Sequence, residues 1–347
     1  MARKLLWASL ALAPITLFVE FALHPSDVLL FVLASLSLVP LAWLIGEATE
    51  QAAHHTGPGI GGFLNATFGN APELIIALFA VAEMKFEVVR GSLTGSVVGN
   101  LLLVLGFSLL FGGRGQVDRE SSFTSLGLVA LAVLVLLIPS IPGWTGDPER
   151  HSLAVLSLPV SIVLLVVYVA VTWYSLRRHR TLHAGQTVEA EAEAWSLKRA
   201  VVVLAAATVV TALIAEALVA SIETFADKAG LTEFFVAAVI VAIVGNAAEH
   251  GGAVVVAYRG NVRLAAEIAL ASSAQVAVFL IPAVAVLAWA IEPLALSFRP
   301  VELVVVGAAT IIAAALLANG RTSRLDGMVL IAAYGAAAVA FFVAGDR

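Results

Sequence analysis

The chain has 347 residues, of which 61% are hydrophobic and only 12% charged. A soluble globular domain carries roughly 25% charged residues, so this chain cannot clothe a water-exposed surface, and its solvent is predominantly lipid. The net charge of −5 gives no footprint for nucleic acid, and the absence of cysteine excludes disulfides, thiolate catalysis and Cys-ligated metal or iron–sulfur centres.

Runs such as Leu153–Trp173 and Val301–Ala318 are long and apolar enough to cross a bilayer. The pattern predicts an all-α polytopic membrane protein of about 11 helices. They fall at 5–23, 27–50, 58–84, 86–112, 123–141, 151–176, 197–226, 231–258, 262–291, 299–318 and 326–344. The N-terminus opens like a signal peptide, with Arg3 and Lys4 before an apolar run. Glu20 and His24 stand where a small-residue cleavage site belongs, so 5–23 is read as a retained helix. With eleven spans the termini lie on opposite faces. Of the nineteen Lys and Arg residues, thirteen fall on the face of the N-terminus and six on the other. The positive-inside rule then predicts a cell (inner) membrane protein with its N-terminus cytoplasmic and its C-terminus outside.

The longest hydrophilic stretch, Arg177–Arg199, is basic at its ends and carries Glu189, Glu191 and Glu193 between them. It divides the chain. Residues 1–24 form an N-terminal transmembrane helix and 25–176 a first five-helix repeat. Residues 177–196 form a cytoplasmic acidic loop and 197–347 a second five-helix repeat.

The second helix of each repeat carries one motif, Gly69-Asn70-Ala71-Pro72-Glu73 in the first and Gly245-Asn246-Ala247-Ala248-Glu249 in the second. Five helices per repeat make the two copies cross the membrane in opposite directions, as in the inverted repeats with which many transporters build a midplane site. Asn100 follows Glu73 by 27 residues and Gln275 follows Glu249 by 26, each in the third helix of its repeat. Around Asn100, Gly91, Gly95 and Gly99 recur every four residues, as do Ser92, Ser96 and Asn100. The glycine ridge is read as packing and Asn100 as lining the site. The counterpart before Gln275 holds Ser272 and Ser273.

An ionised carboxylate at the bilayer centre costs about 2.5–3.5 kcal/mol on insertion scales. Every Lys and Arg falls near a span end or in a loop, so Glu73 and Glu249 have no evident protein counter-ion. Either a proton or a bound cation neutralises them. Gly69 and Gly245 weaken their helices and Pro72 lacks a donor, so a local break is expected to turn carbonyl oxygens inward. Asn70, Asn246, Asn100, Gln275, Ser96 and Ser272 add neutral oxygens. Two carboxylates among such groups suit a hard cation such as Ca²⁺, whereas zinc or copper would call for thiolates or paired histidines. Metal binding needs deprotonated ligands, so protons and the metal compete for one site, which is an exchange mechanism. The other candidates are less central. His250 follows Glu249 and fits either a proton relay or a core histidine. Glu47 and Glu50 fit either an ion pathway or a solvated helix end, and Glu216 lies deeper in its span.

On these motifs, together with Gly46-Glu47-Ala48-Thr49-Glu50-Gln51 and the Gly95–Asn100 segment, the chain resembles the calcium/proton exchangers of the cation/proton exchanger family, within the calcium/cation antiporter superfamily. The resemblance covers nearly the whole length. It implies one extra helix before two inverted five-helix repeats. It also implies Glu73 and Glu249 as the central metal ligands, help from Asn70, Asn246 and nearby carbonyls, and assembly as a homo-oligomer, often a trimer. The expected function is secondary antiport of Ca²⁺ for H⁺, with no cofactor and no enzymatic chemistry. The competing readings are a Na⁺/Ca²⁺ antiporter on the same scaffold and a cation channel, although no ring of charge marks a pore.

Overall fold

The computed structural model describes residues 2–23, 25–182 and 195–345, so Glu189, Glu191 and Glu193 lie outside the described residues. The first span is interrupted: α1 is Ala2–Ser9, α2 is Leu12–Phe18 and a π-turn follows at Val19–Leu23. Pro14 offers no N–H and crowds the carbonyl four residues back, which falls at the break. Helix α3 is assigned over Asp27–Phe68. It is not straight. A Cβ on Gly61 would lie 3.0 Å from the Cβ of Ala53. Residues eight apart stand about 12 Å apart along a straight helix, so the chain turns back between them.

After a break at Gly69–Asn70 the chain continues as α4, Ala71–Ala82. Next come α5 (Phe86–Val98), a π-turn (Gly99–Val104) and α6 (Leu105–Gly112), which make one span, then β1 (Gly115–Gln116). Helix α7 is Arg119–Gly143, its N-terminus capped by Asp118, and α8 is His151–Leu182. Helix α9, Leu197–Ala229, ends at Gly230 with φ +68°, a left-handed cap that glycine reaches without strain. The eighth span combines α10 (Glu233–Phe235), a π-turn (Val236–Val241), α11 (Ala242–Gly245) and α12 (Ala247–Tyr258). Between Glu233–Gly245 and Glu249–Tyr258 it bends by 58°. Then follow α13 (Val262–Gln275), a π-turn (Val276–Leu280), α14 (Ile281–Ala288), α15 (Pro300–Leu317), β2 (Arg321–Thr322) and α16 (Arg324–Ala344). The two short strands pair antiparallel, Gly115 with Thr322 and Gln116 with Arg321.

Among the described residues, nine helices are long and apolar enough to cross a membrane, and the bent pair makes ten. The third expected helix does not qualify, because its break leaves α4 with 12 residues. That is about 18 Å of helix against a hydrocarbon core of about 30 Å.

Small residues set the packing. A Cβ on Gly95 would come within 2.0 Å of the carbonyl oxygen of Ala238, and one on Gly91 within 2.9 Å of that of Phe234. The first two glycines of the ridge therefore let α5 touch the backbone of the opposite repeat. Gly99, expected to pack likewise, has no atom within 4 Å of its Cβ position. Helices α3 and α9, the first of each repeat, lie together, with Phe31 stacked on Phe225 at 4.1 Å and Thr224 donating to Asp27 at 2.8 Å.

Candidate ion-binding site

Each motif sits where a helix stops and restarts. Asn70 (φ −101°, ψ 16°) precedes α4, and Asn246 (φ −89°, ψ 6°) precedes α12. Both occupy the sparsely populated bridge between the helical and extended regions, where active-site residues are often found. Both stand at N-cap positions, yet neither side chain caps its own helix. The two amides are thereby released for other partners. Pro72 lies in the first turn of α4, where its missing N–H costs no helical bond. Glu73 and Glu249 fall in the first turns of α4 and α12, at the positive ends of the helix dipoles.

The freed amides reach across to the other repeat. Asn70 Nδ2 donates to Gln275 Oε1 at 3.5 Å. Asn246 Nδ2 donates to Ser96 Oγ at 2.8 Å and to the carbonyl of Ala242 at 2.9 Å. Asn100 Nδ2 donates to Asn246 Oδ1 at 3.3 Å and to Ser272 Oγ at 3.0 Å. Ser272 Oγ in turn donates to a carboxylate oxygen of Glu249. Glu73 completes the group by packing on the other motif: a Cβ on Gly245 would meet its Cγ at 3.2 Å. The two carboxylates lie close enough for their charges to interact.

Among the acceptors of this cluster, Glu73 Oε2 and Asn100 Oδ1 are buried without a hydrogen-bond partner. Their residues are 8% and 0% exposed. Buried acceptors normally find a donor, and two orphans in one cluster mark a place suited to positive charge. No Lys or Arg supplies it among the described residues. Arg90, wholly buried near the start of α5, binds Glu87 at 2.8 Å and Glu149 at 2.5 Å. Arg299 is 3.5 Å from Glu87 and 3.7 Å from Glu302. Thr94 donates to Glu302 at 3.1 Å. Sequence reasoning missed this network, because charges near span ends read as solvated until loops fold over them. Among the described residues no group of three His, Cys, Asp or Glu side chains gathers as a metal site. A cation at the centre would therefore rely on two carboxylates and neutral oxygens, as the residue types suggest.

All eight expected ligands, Glu73, Glu249, Asn70, Asn246, Asn100, Gln275, Ser96 and Ser272, are thus brought into one cluster, with Gly69, Gly245 and Pro72 at the breaks beside them. The four outlying candidates fare differently. His250 has a buried Nε2 with no hydrogen-bond partner. Glu47 is half-buried and accepts from Gln51 Nε2 at 3.5 Å, and Glu50 is exposed. Glu216 is exposed on the flank of α9 and interacts electrostatically with Glu20. What the sequence did not announce is the set of π-turns. One starts beside Asn100, one directly follows Gln275, and one precedes the Asn246 break. Such turns often mark functional sites, and Gly99 was the only local hint.

Comparison with known proteins places this architecture. The family model described as sodium/calcium exchanger protein matches residues 26–177 and 199–343. The Ca²⁺/H⁺ antiporter ChaA of Bacillus subtilis is 38% identical over 331 residues, covering 92% of this chain and 94% of the relative. Vacuolar cation/proton exchanger 1 of Arabidopsis thaliana is 38% identical over 335 residues, covering 90% of this chain and 72% of the relative. The solved structure of native YfkE superposes with a TM-score of 0.84 at 34% identity, covering 97% of this chain and 99% of the other. The H⁺/Ca²⁺ exchanger CAX shares the fold with a TM-score of 0.76 at 15% identity, covering 99% and 92%. A bilayer-spanning helical chain with two crossed Asn–Glu breaks, matched by the family model in both halves, is a member of the sodium/calcium exchanger family.

Proposed function

We propose that the protein is a secondary antiporter exchanging Ca²⁺ for H⁺ by alternating access, with both ions competing for Glu73 and Glu249. The observation that carries this reading is that Glu73 Oε2 and Asn100 Oδ1 are orphan acceptors in a cluster built from both repeats, to which no Lys or Arg among the described residues is paired. Asn70, Asn246, Asn100, Gln275, Ser96 and Ser272 contribute neutral oxygens. Gly69, Gly245 and Pro72 hold the breaks that expose carbonyls, and each carboxylate is neutralised by the metal or by a proton. Leaving both empty would strand two charges in low dielectric, and that penalty couples the two fluxes. Names given to the relatives, antiporters of Ca²⁺ and H⁺ and cation/proton exchangers, support protons over sodium as the counter-ion.

His250, with its unpartnered Nε2 one residue beyond Glu249, is the strongest of the candidate proton carriers. Glu47 and Glu50 stand on the approach along α3. Glu216, exposed on α9, is the weakest. The two matched segments support a division into two repeats, and the count of Lys and Arg supports a cytoplasmic N-terminus in a cell (inner) membrane. The homo-oligomer rests on the family resemblance.

The deciding experiment places the purified protein in vesicles and follows Ca²⁺ uptake. Uptake should respond to an imposed pH gradient without Na⁺, and apparent Ca²⁺ affinity should fall as pH is lowered on the side of binding, because protonated carboxylates cannot ligate. Uptake driven only by a Na⁺ gradient would replace protons with sodium in this reading.

A further inference from the structure

Away from the ion site, the structure holds a second cavity with its own chemistry. Helices α6 and α16 cross almost backbone to backbone: a Cβ on Gly327 would meet the amide nitrogen of Leu110 at 2.5 Å and the carbonyl oxygen of Gly106 at 2.6 Å. Past this crossing the chain turns away at both helix ends, and a cavity of about 460 Å³ opens between them. It is lined by Gly112, Gly113, Arg114, Ser323 and Arg324. Gly113 has φ +74°. Its Cβ position lies 3.5 Å from Nε of Arg324, so the guanidinium group lies against bare backbone. The β1–β2 pairing and a hydrogen bond from Thr322 Oγ1 to the carbonyl of Gly113, at 3.3 Å, hold the two helix ends in place.

The charge here is unbalanced. Arg114 and Arg324 are exposed, with Arg321 on β2 and Arg119 beside it against Gly320, and among the described residues none of the four forms an ion pair. The neighbouring acids are already engaged: Asp326 accepts from the backbone and hydroxyl of Ser323, and Asp118 pairs with Arg263. Beside the cavity, exposed Phe111, Leu325 and Met328 continue onto the lipid-facing flank of the spans. Unpaired guanidinium groups that open onto an apolar flank match one kind of molecule, with phosphate at one end and hydrocarbon at the other. Basic pockets between membrane helices take up such headgroups, and guanidinium forks bind phosphate in bidentate fashion.

We infer that this cavity is a binding site for an anionic phospholipid, its phosphate held by Arg114 and Arg324 and its chains lying along Phe111, Leu325 and Met328. The lipid would bridge the ends of α6, the continuation of the span bearing Asn100, and α16.

The test uses the full chain purified in detergent and titrated with phosphatidylglycerol while thermal unfolding is followed. Phosphatidylglycerol should raise Tm, whereas phosphatidylcholine and inorganic phosphate should not. In the Arg114→Gln/Arg324→Gln variant the apparent affinity should fall by roughly tenfold or more for each arginine. Arg259→Gln, an exposed arginine outside the cavity, should keep the wild-type response. An undiminished response in the double variant, an equal loss in Arg259→Gln, or an equal Tm rise with inorganic phosphate would each overturn the assignment. A second measurement leaves the arginines intact: the added fluorescence of Phe111→Trp should be quenched more by bromine-labelled phosphatidylglycerol than by bromine-labelled phosphatidylcholine. Equal quenching would refute the site.

Discussion

At the scale of single residues, the site is a balance between two carboxylates and the neutral groups around them. Glu73 has one oxygen with no hydrogen-bond partner, while Glu249 is held by the Ser272 hydroxyl. The two are therefore unequal, although their motifs match. Replacing either with Gln keeps the side-chain shape and removes the charge. Glu73→Gln and Glu249→Gln should each lower Ca²⁺ affinity by roughly two orders of magnitude or more, because affinity follows ligand charge. Tm should hold or rise, because a buried charge is a cost to folding. Binding calorimetry together with a melting curve checks both halves of this expectation. Transport at the wild-type rate in either variant would mean that the glutamates serve only packing.

All of the proposed ligands could be picked out in the sequence, because a carboxylate or amide inside an apolar run is costly enough to stand out. Which donor meets which acceptor could not. The pairing of Asn70 with Gln275, and of Asn246 with Ser96 and Asn100, joins residues about 150 to 205 positions apart and depends on how the two repeats face one another. The surroundings of Arg90 were not legible for the same reason. Near a helix end it reads as solvated, yet it is 1% exposed and enclosed by Glu87, Glu149 and the carbonyl of Ala295.

At the scale of elements, the breaks and the crossings carry the function. The breaks were foreseeable: glycine before asparagine, and in the first copy a proline that cannot sit inside a helix but is welcome in its first turn. The π-turns were not, since a π-turn adds a residue to a helix without a distinctive composition. The crossing of α5 with the π-turn at Val236–Val241 lies just above the Asn246 break and depends on Gly95. Gly95→Ala should destabilise the protein by about 1–3 kcal/mol through overpacking. Because Ser96 is the next residue, the same change should displace the donor–acceptor pair with Asn246, so Ca²⁺ affinity should fall along with Tm. Gly99→Ala, with open space at its Cβ position, is the matched control and should leave Tm nearly unchanged. A Gly95→Ala protein that melts with the wild type would show that the crossing is not tight.

At the scale of the whole molecule, one lysine ties the two repeats together at the face opposite the cavity of arginines. Lys85, in the turn between α4 and α5, reaches Glu223 on α9 at 3.0 Å and Glu233 at the start of α10 at 3.3 Å. Burial alone would lower the titration point of this ammonium group, but the hydrogen bond it donates to Glu223 and the charge of Glu233 outweigh it and hold it above the ordinary lysine range. A group whose folded-state pKa is raised stabilises fully below its unfolded value, about 10.4 for lysine, and loses that contribution as pH rises through the folded value. The latch should therefore be insensitive to the neutral-range proton gradients that a proton-coupled exchanger meets. The Tm difference between wild type and Lys85→Met should stay constant from about pH 6 to pH 9 and shrink only above the ordinary lysine range. A difference that varies within the neutral range would assign the latch to a different titrating group.

Residue type and period alone determined that this chain lives in lipid, that it is duplicated, and which buried carboxylates and amides to propose as its ion site. Those conclusions rest on local energetics: transfer from water to hydrocarbon, the cost of a buried charge, and the helix-breaking chemistry of glycine and proline. Only the tertiary structure decided that the two breaks meet, that Glu73 lies against Gly245 of the other repeat, that Gly95 packs while Gly99 does not, and that Arg114 and Arg324 share a cavity. These are contacts between segments far apart in the chain. Side chains at the same depth in a bilayer look alike in sequence until helix packing chooses which of them touch.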